Sequence, residues 1–327
     1  MAYPIFSFGT LDDVMRSVIE TIQAHGEQIY PTKGKQTGAL ELTGVLLELT
    51  NPRARLSRTE TRGKLFSSLG ELCWYLSKSN DLAFIQYYLP GYRYSADGDE
   101  IFGGYGPRLF DWKERNHLNQ VAGVTEILRK KPDSRQAVIQ LFDANDIVAT
   151  HKDVPCTCTL QLMLRQGSLR MFTNMRSNDV HKGLPHDVFC FTMLQEIMAR
   201  TLSVEIDTYK HAVGSLHLYV EDREIVQQFL EEGWQSTIDV AMPDMPTEDP
   251  WPAISLLLEA ESAIRTSGAF DDDILRAVGP YWADLIRLLQ IFRCKKDKNI
   301  EKIQTLRQKM VSKVYLVFID AVLSELV

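Results

Sequence analysis

Apolar and polar positions alternate along this chain with two different periods. Leu11, Val14, Met15, Val18, Ile19 and Ile22 recur at helical spacing and predict a helix over 10–26. A turn-rich stretch follows at Pro31, Gly34 and Gly38, and the run from Leu40 to Leu49 predicts a strand stopped by Asn51-Pro52. Residues 62–77 form a strongly apolar helix carrying Trp74 and Tyr75, and 117–130 an amphipathic one. Between them, the Tyr- and Gly-rich stretch 88–108 reads as a long irregular loop, a feature often functional in compact domains. Residues 137–143, 159–165 and 168–175 read as strands, the last two joined through Gln166-Gly167-Ser168. An apolar helix over 186–202, extended structure over 204–220 and a helix from near Glu221 complete this part. Prolines crowd 241–251, and beyond them 252–267, 273–293 and 298–326 are helical in pattern. The expected division is a mixed α+β unit over 1–245 and a helical extension over 246–327.

Composition narrows the function classes. With 327 residues, 45% hydrophobic and 24% charged, the chain can bury a large core without staples. A net charge of −7 argues against nucleic acid as a main partner, because phosphate neutralisation needs a clustered basic surface. No apolar run is long enough for a membrane helix, and the first residues lack the pattern of a secretory signal. Five Cys (Cys73, Cys156, Cys158, Cys190 and Cys294) are too few and too scattered for a disulfide framework. The expectation is a soluble, reduced, cytoplasmic protein without membrane or nucleic-acid partners.

Two segments concentrate chemistry. In Asp153-Val154-Pro155-Cys156-Thr157-Cys158, Cys156 is open to three readings: a nucleophile, a metal ligand or a buried small hydrophobe. A nucleophile needs a cation to hold its thiolate, and Arg135 and Arg176 are candidates. The second segment runs from Arg176-Ser177-Asn178-Asp179 to Gly183-Leu184-Pro185-His186-Asp187. Its density of charges and donors between a predicted strand and helix suits an anion- and base-recognition loop, or a polar turn with a Gly-Leu-Pro corner.

These segments resemble the folate-dependent thymidylate synthase superfamily, most closely in pattern its dCMP and CMP hydroxymethylases. The resemblance covers about residues 10–225. It rests on Gly70-Glu71-Leu72-Cys73-Trp74-Tyr75-Leu76, Gly104-Tyr105-Gly106, Pro132-Asp133-Ser134-Arg135, Pro155-Cys156, Arg176-Ser177-Asn178-Asp179, Gly183-Leu184-Pro185 and His217-Leu218-Tyr219, in that order. It implies an α+β fold, a twisted mixed sheet packed back-to-back in a homodimer, with no metal. By resemblance Cys156 adds to C6 of a pyrimidine nucleotide, which makes C5 nucleophilic toward the one-carbon unit of 5,10-methylenetetrahydrofolate. Arg176 binds the phosphate and lowers the Cys156 pKa, with Ser177 and Lys33 beside it. Arg135 reaches the neighbouring subunit's phosphate. His217 and Tyr219 take the sugar hydroxyl, Glu71 organises water and proton transfer, and Tyr105 helps remove the C5 proton. Asp179 contacts the pterin, with Tyr92 and Tyr94 in place of a missing Trp.

Departures from the family pattern bear on the substrate. Asp187 stands where thymidylate synthases carry Asn, whose amide pairs with uracil. A carboxyl accepts from the cytosine N4 amine and, by sharing a proton, serves N3. Thr157 replaces the usual His after the nucleophile. The chain also continues into helices where synthases end in a short closing tail. The expected activity is hydroxymethylation at C5 of dCMP or CMP, water adding to the one-carbon unit. The alternatives are a thymidylate synthase methylating dUMP and a non-catalytic nucleotide-binding homologue.

Overall fold

The computed structural model describes residues 5–30, 38–59, 64–148, 150–268, 270 and 273–326. The strands are β1 (Phe6–Phe8), β2 (Glu27–Ile29), β3 (Ala39–Leu49), β4 (Val138–Gln140), β5 (Thr157–Arg165), β6 (Ser168–Asp179) and β7 (Glu205–Tyr219). The helices of the mixed region are α1 (Leu11–His25), α2 (Leu65–Leu76), α3 (Leu82–Tyr88), α4 (Tyr105–Phe110), α5 (Gln120–Lys130), α6 (Leu184–Thr201) and α7 (Arg223–Glu231). Beyond the prolines come α8 (Trp251–Thr266), α9 (Asp273–Ala277), α10 (Gly279–Lys296), α11 (Ile300–Gln308) and α12 (Leu316–Leu326).

Among the described residues the strands form one mixed seven-stranded sheet in the order β1-β3-β7-β6-β5-β4, with β2 also on β3. Pairs β1/β3 and β6/β7 are parallel, and β3/β7, β5/β6 and β4/β5 antiparallel. Alternation along the long strands explains the layering. Leu169, Met171, Thr173 and Met175 of β6, and Tyr209, His211 and Val213 of β7, are buried, while their neighbours point to the opposite, more open face. Helices α1 and α6 lie on the buried face, and α2 packs on α6 as a further layer. Thr10 caps α1 by accepting from the Asp13 amide at 3.1 Å. Gln166 and Gly167, with φ of 52° and 78°, make the expected two-residue hairpin turn between β5 and β6.

The fold departs from the sequence expectations at three places. The stretch 88–108 is not wholly irregular: it carries a 3-10 turn over Pro90–Tyr94 and the first residues of α4. Arg176, Ser177, Asn178 and Asp179 lie on β6 rather than in a loop, because parallel pairing with β7 continues to Asp179 opposite His217. The helical patterns 273–293 and 298–326 are each interrupted. Gly279 (φ 72°) followed by Pro280 separates α9 from α10, since Pro cannot donate the next helical bond. Between α11 and α12 the Val311 and Ser312 amides turn to the buried Asp284 carboxylate at 3.0 and 2.8 Å.

The C-terminal helices join the central core. Both α8 and α10 pack on α2. Tyr88 donates to the buried Glu261 of α8 at 2.8 Å, and its ring stacks on Phe292 of α10 with centroids 5.1 Å apart. Gly70 makes this packing possible, because a Cβ there would lie 2.2 Å from the Tyr88 ring.

Candidate active site

The site assembles where the C-terminal end of β6, the start of β5 and three helices meet. Pro155 and Cys156 lead into β5, and the Arg176 amide donates to the Cys156 carbonyl at 2.8 Å. The Arg176 side chain folds back over the same turn. Its Nε donates to the Pro155 carbonyl at 3.0 Å and its Nη2 to the Val154 carbonyl at 2.8 Å. Nη2 also lies 3.6 Å from the Cys156 Sγ. The guanidinium is therefore oriented beside the thiol while Nη1 takes no part in these bonds. Burial pushes the half-buried Cys156 thiol up to about 11, and Arg176 pulls in the opposite direction. Desolvation outweighs one cation, so the resting group is a thiol and not a preformed thiolate.

Tyr105 opens α4, and its phenol oxygen accepts from the Thr157 amide at 3.1 Å. That bond fixes the ring one residue from the nucleophile and leaves the phenol proton available to donate. Burial, reinforced by the nearby Cys156 and Asp187, raises its pKa well above the usual Tyr value, so the phenol is neutral.

Glu71 is 5% exposed on α2. Its Oε1 accepts from Tyr92 at 2.6 Å and from Tyr75 at 3.0 Å. Burial still raises its pKa against those bonds. Asp187, in the first turn of α6, accepts from the Asn178 Nδ2 at 2.7 Å. Helix N-termini favour anions, yet burial and then the Glu71 charge drive its pKa well above the carboxylate range. The two carboxyls interact, and of the pair Asp187 is raised the more strongly and is the one that holds a proton.

The remaining candidates separate. His217 and Asp179 are register partners across β6 and β7, as are Ser177 and Ser215. Asp179 Oδ1 accepts from the His181 and Lys182 amides at 2.7 and 2.9 Å. The His217 and Tyr219 rings meet edge-on at 4.9 Å, with Lys182 Nζ 5.9 Å from the Tyr219 ring centre. These residues line the rim at the β6 and β7 ends. Tyr92 is drawn inward to Glu71 and lies edge-on to Trp74 at 5.5 Å, so its hydroxyl and ring are engaged within the protein. Tyr94 is 72% exposed beside Arg93. Arg135 is exposed, shortly before β4. Lys33 lies outside the described residues. No group of acidic, His or Cys side chains able to hold a metal occurs among the described residues, and no described helix is long and apolar enough to cross a membrane.

Two residues in the quoted motifs acquire roles that motif reading did not assign. Asn178 holds Asp187 while its own Oδ1 is buried without a partner. Asp153 lies beside the nucleophile, near Arg176 and Tyr92. Their signal in the sequence was only a polar residue within or beside a motif, and its meaning depends on which way the strand faces.

The thymidylate synthase family model matches residues 14–248 of the chain. A deoxyuridylate hydroxymethyltransferase of Bacillus phage SP01 is 31% identical over 229 residues, covering 66% of this chain and 59% of the phage protein. A deoxyuridylate hydroxymethyltransferase of Delftia phage PhiW-14 is 28% identical over 197 residues, covering 56% of this chain and 54% of the phage protein. The chain thus spans somewhat more than half the length of these curated relatives.

Proposed function

Because the chain belongs to the thymidylate synthase family, we propose that it transfers a one-carbon unit to C5 of a cytidine monophosphate, with water completing a 5-hydroxymethyl group. The single observation that carries the cytidine reading is Asp187. Its neutral carboxyl offers one acceptor and one donor side by side, which is what cytosine N4–H and N3 require. Asn178 donates to Oδ2 and so orients the carboxyl; in the cytidine complex Oδ1 is then the acceptor for N4–H, and the proton on Oδ2 is the donor to N3. The names of the two phage relatives support the hydroxymethyl outcome.

Cys156 supplies the nucleophile. A nucleotide phosphate beside Arg176, with Ser177 at its edge, would sit next to a thiol still carrying its proton. Deprotonation therefore belongs to the step in which sulfur bonds to C6. Tyr105 donates from a fixed phenol near C5 and C6, and the Glu71-Tyr92-Tyr75 cluster holds water and protons at the base. His217 and Tyr219 receive the sugar, and the choice between ribose and deoxyribose belongs to them and Ser177. The co-substrate 5,10-methylenetetrahydrofolate supplies the one-carbon unit. Asp179, raised in pKa by burial, and the exposed Tyr94 fit a pterin edge and face. Tyr92 fits poorly, since Glu71 and Trp74 engage it.

We also infer a two-fold dimer through the open sheet face, where a concavity of about 640 Å³ lies between Glu48, Met163, Arg170, Phe172 and Lys210. A helix-free face bearing Met163 and Phe172 is the surface a second copy would cover, and Arg135 would then reach the partner's phosphate. The second substrate reading is deoxyuridylate. It is favoured by the relatives' names and by the fact that a neutral carboxyl also serves O4 and N3–H when its proton changes oxygen.

The test is tritium release from C5-labelled dCMP, CMP and dUMP, each with methylenetetrahydrofolate. Release from a cytidine nucleotide alone is the expected result. Release from dUMP alone would transfer the assignment to the second reading, and release from none would leave a binding protein.

A further inference from the structure

Among the described residues, Asp153 is a carboxyl acting on the nucleophile that has no part in the proposed base, sugar or phosphate recognition. It stands three residues before Cys156, on the turn that Arg176 clamps through the Val154 and Pro155 carbonyls. The turn is moulded around its side chain. A Cβ on Gly103 would lie 2.3 Å from Asp153 Oδ2 and 3.2 Å from the Pro155 nitrogen, so only glycine leaves room for the carboxyl there. Gly103 in turn is two residues from Tyr105, whose phenol is pinned to Thr157. The charge of Asp153 reaches both Cys156 and Tyr92, so the carboxyl is within electrostatic range of the thiol and of the tyrosine that binds Glu71.

That position corresponds to a particular reacting atom. Sulfur bonds to C6, the one-carbon unit is attached to the adjacent C5, and the groups facing Glu71 and Asp187 lie further round the ring. A carboxyl within range of both Cys156 and Tyr92 suits the C5 side.

Resting on the hydroxymethylase reading, we propose that Asp153 is the general base that takes a proton from the water that adds to the one-carbon unit on C5.

The step balances without a redox partner. After loss of the C5 proton and departure of tetrahydrofolate, C5 carries an exocyclic methylene that is electrophilic at carbon. The water oxygen forms the new C–O bond, its proton passes to Asp153, and the methylene π pair moves into the ring. Expulsion of the Cys156 thiolate from C6 restores the aromatic base. Burial pushes the Asp153 carboxyl up to about 6, held back by Arg176 on β6 and Arg108 on α4 and assisted by Asp97. A base in that range accepts a proton at neutral pH more readily than an ordinary exposed Asp. The other groups facing it are Cys156 and Tyr92, and His151 bonded to Asp97 at 3.1 Å. Because Asp153 acts in its ionised form, hydroxymethyl formation should rise with pH through about 6 and level off above it.

The experiment uses the full chain, wild type and Asp153→Asn, with Asp153→Ala as a second variant. Thermal unfolding confirms the fold, and nucleotide binding is measured directly. Each protein receives C5-tritiated nucleotide and methylenetetrahydrofolate, with and without 2-mercaptoethanol. Tritium release reports all steps up to the methylene, and chromatography reports hydroxymethyl nucleotide or the thioether formed by thiol capture. In both variants hydroxymethyl product should fall by about 100-fold, the usual scale of a lost general base. With thiol present, tritium release should stay within about threefold of wild type and the thioether should take the place of the product, since thiol capture needs no water base. The rise through about pH 6 should disappear from the residual hydroxymethyl product. Hydroxymethyl formation at the wild-type rate and pH profile in Asp153→Asn overturns the proposal. So does a parallel fall in tritium release with no thioether, which would put Asp153 at the thiol step instead. Failure of the underlying reading is visible in wild type alone, as a methylated nucleotide with dihydrofolate or no tritium release, and it removes this proposal as well.

Discussion

A single hydrogen bond gives Asp187 its direction. The Asn178 amide donates to Oδ2, so the opposite side of the carboxyl is left to meet a base, and burial beside Glu71 keeps it protonated. Replacing it by an amide changes this arrangement in a defined way. In Asp187→Asn the side-chain oxygen can still accept from Asn178, which directs its NH2 group outward as a permanent donor. Cytosine N4 is itself a donor and would oppose it, whereas uracil O4 would accept. A mispaired buried polar group costs about 1–3 kcal/mol, so the ratio of kcat/KM for cytidylate over deoxyuridylate should fall by about 10- to 100-fold. Steady-state kinetics on both nucleotides measure it. An unchanged ratio would remove Asp187 from base recognition. Asn178→Ala should produce a smaller shift in the same direction, because the carboxyl is then free to move its proton between oxygens.

At the scale of elements, α2 carries Glu71 into the site and is itself held from behind. Its inner side meets α6, and its outer side meets α8 and α10. The contact with Tyr88 passes through Gly70, where there is no space for one methyl group. Gly70→Ala should therefore destabilise the protein despite the better helix propensity of Ala. Overpacking typically costs about 1–3 kcal/mol, against roughly 1 kcal/mol gained in propensity. The outcome should be a lower melting temperature, together with weaker turnover as Glu71 is displaced. Calorimetry that found equal or greater stability would show that Tyr88 yields freely. The same helix illustrates what was legible beforehand. Its apolar run, the long strands 39–49 and 205–219, and the hairpin at Gln166-Gly167 follow from periodicity and turn chemistry that act over a few residues. Cys156, Arg176, Glu71, Tyr105 and Asp187 were legible through ordered motifs, and the fold brings them together. The inward turn of Tyr92 to Glu71, the bond from Asn178 and the cleft at Gly103 were not. Each depends on strand facing or on contacts between segments distant in sequence, and neither propensity nor spacing encodes those.

Among the described residues the sheet has one face under helices and one more open face. Within one chain Arg135 is exposed, shortly before β4. If two chains pair through the open faces, each active site would be built from both, Cys156 and Arg176 from one and Arg135 from the other. This has a consequence that no single-chain arrangement shares. Cys156→Ala alone should be inactive, because the thiol that bonds to C6 is gone. Arg135→Ala alone should lose much of its nucleotide affinity, the loss of a charged hydrogen bond being worth about 1.5–3 kcal/mol. Mixing the two variants after partial unfolding and refolding gives hybrid dimers. In such a hybrid one site has both defects, while the other combines an intact Cys156 with the intact Arg135 of its partner. With random pairing half of the dimers are hybrids, and each holds one complete site. Activity should therefore recover to about a quarter of wild type, saturating at wild-type nucleotide concentrations. If Arg135 serves its own chain, or no dimer forms, every Cys156-bearing site lacks Arg135 and refolding the mixture recovers nothing. Sedimentation of the same mixture tells those two cases apart: a dimer without recovery rejects the shared site, and a monomer rejects the sheet-face pairing itself.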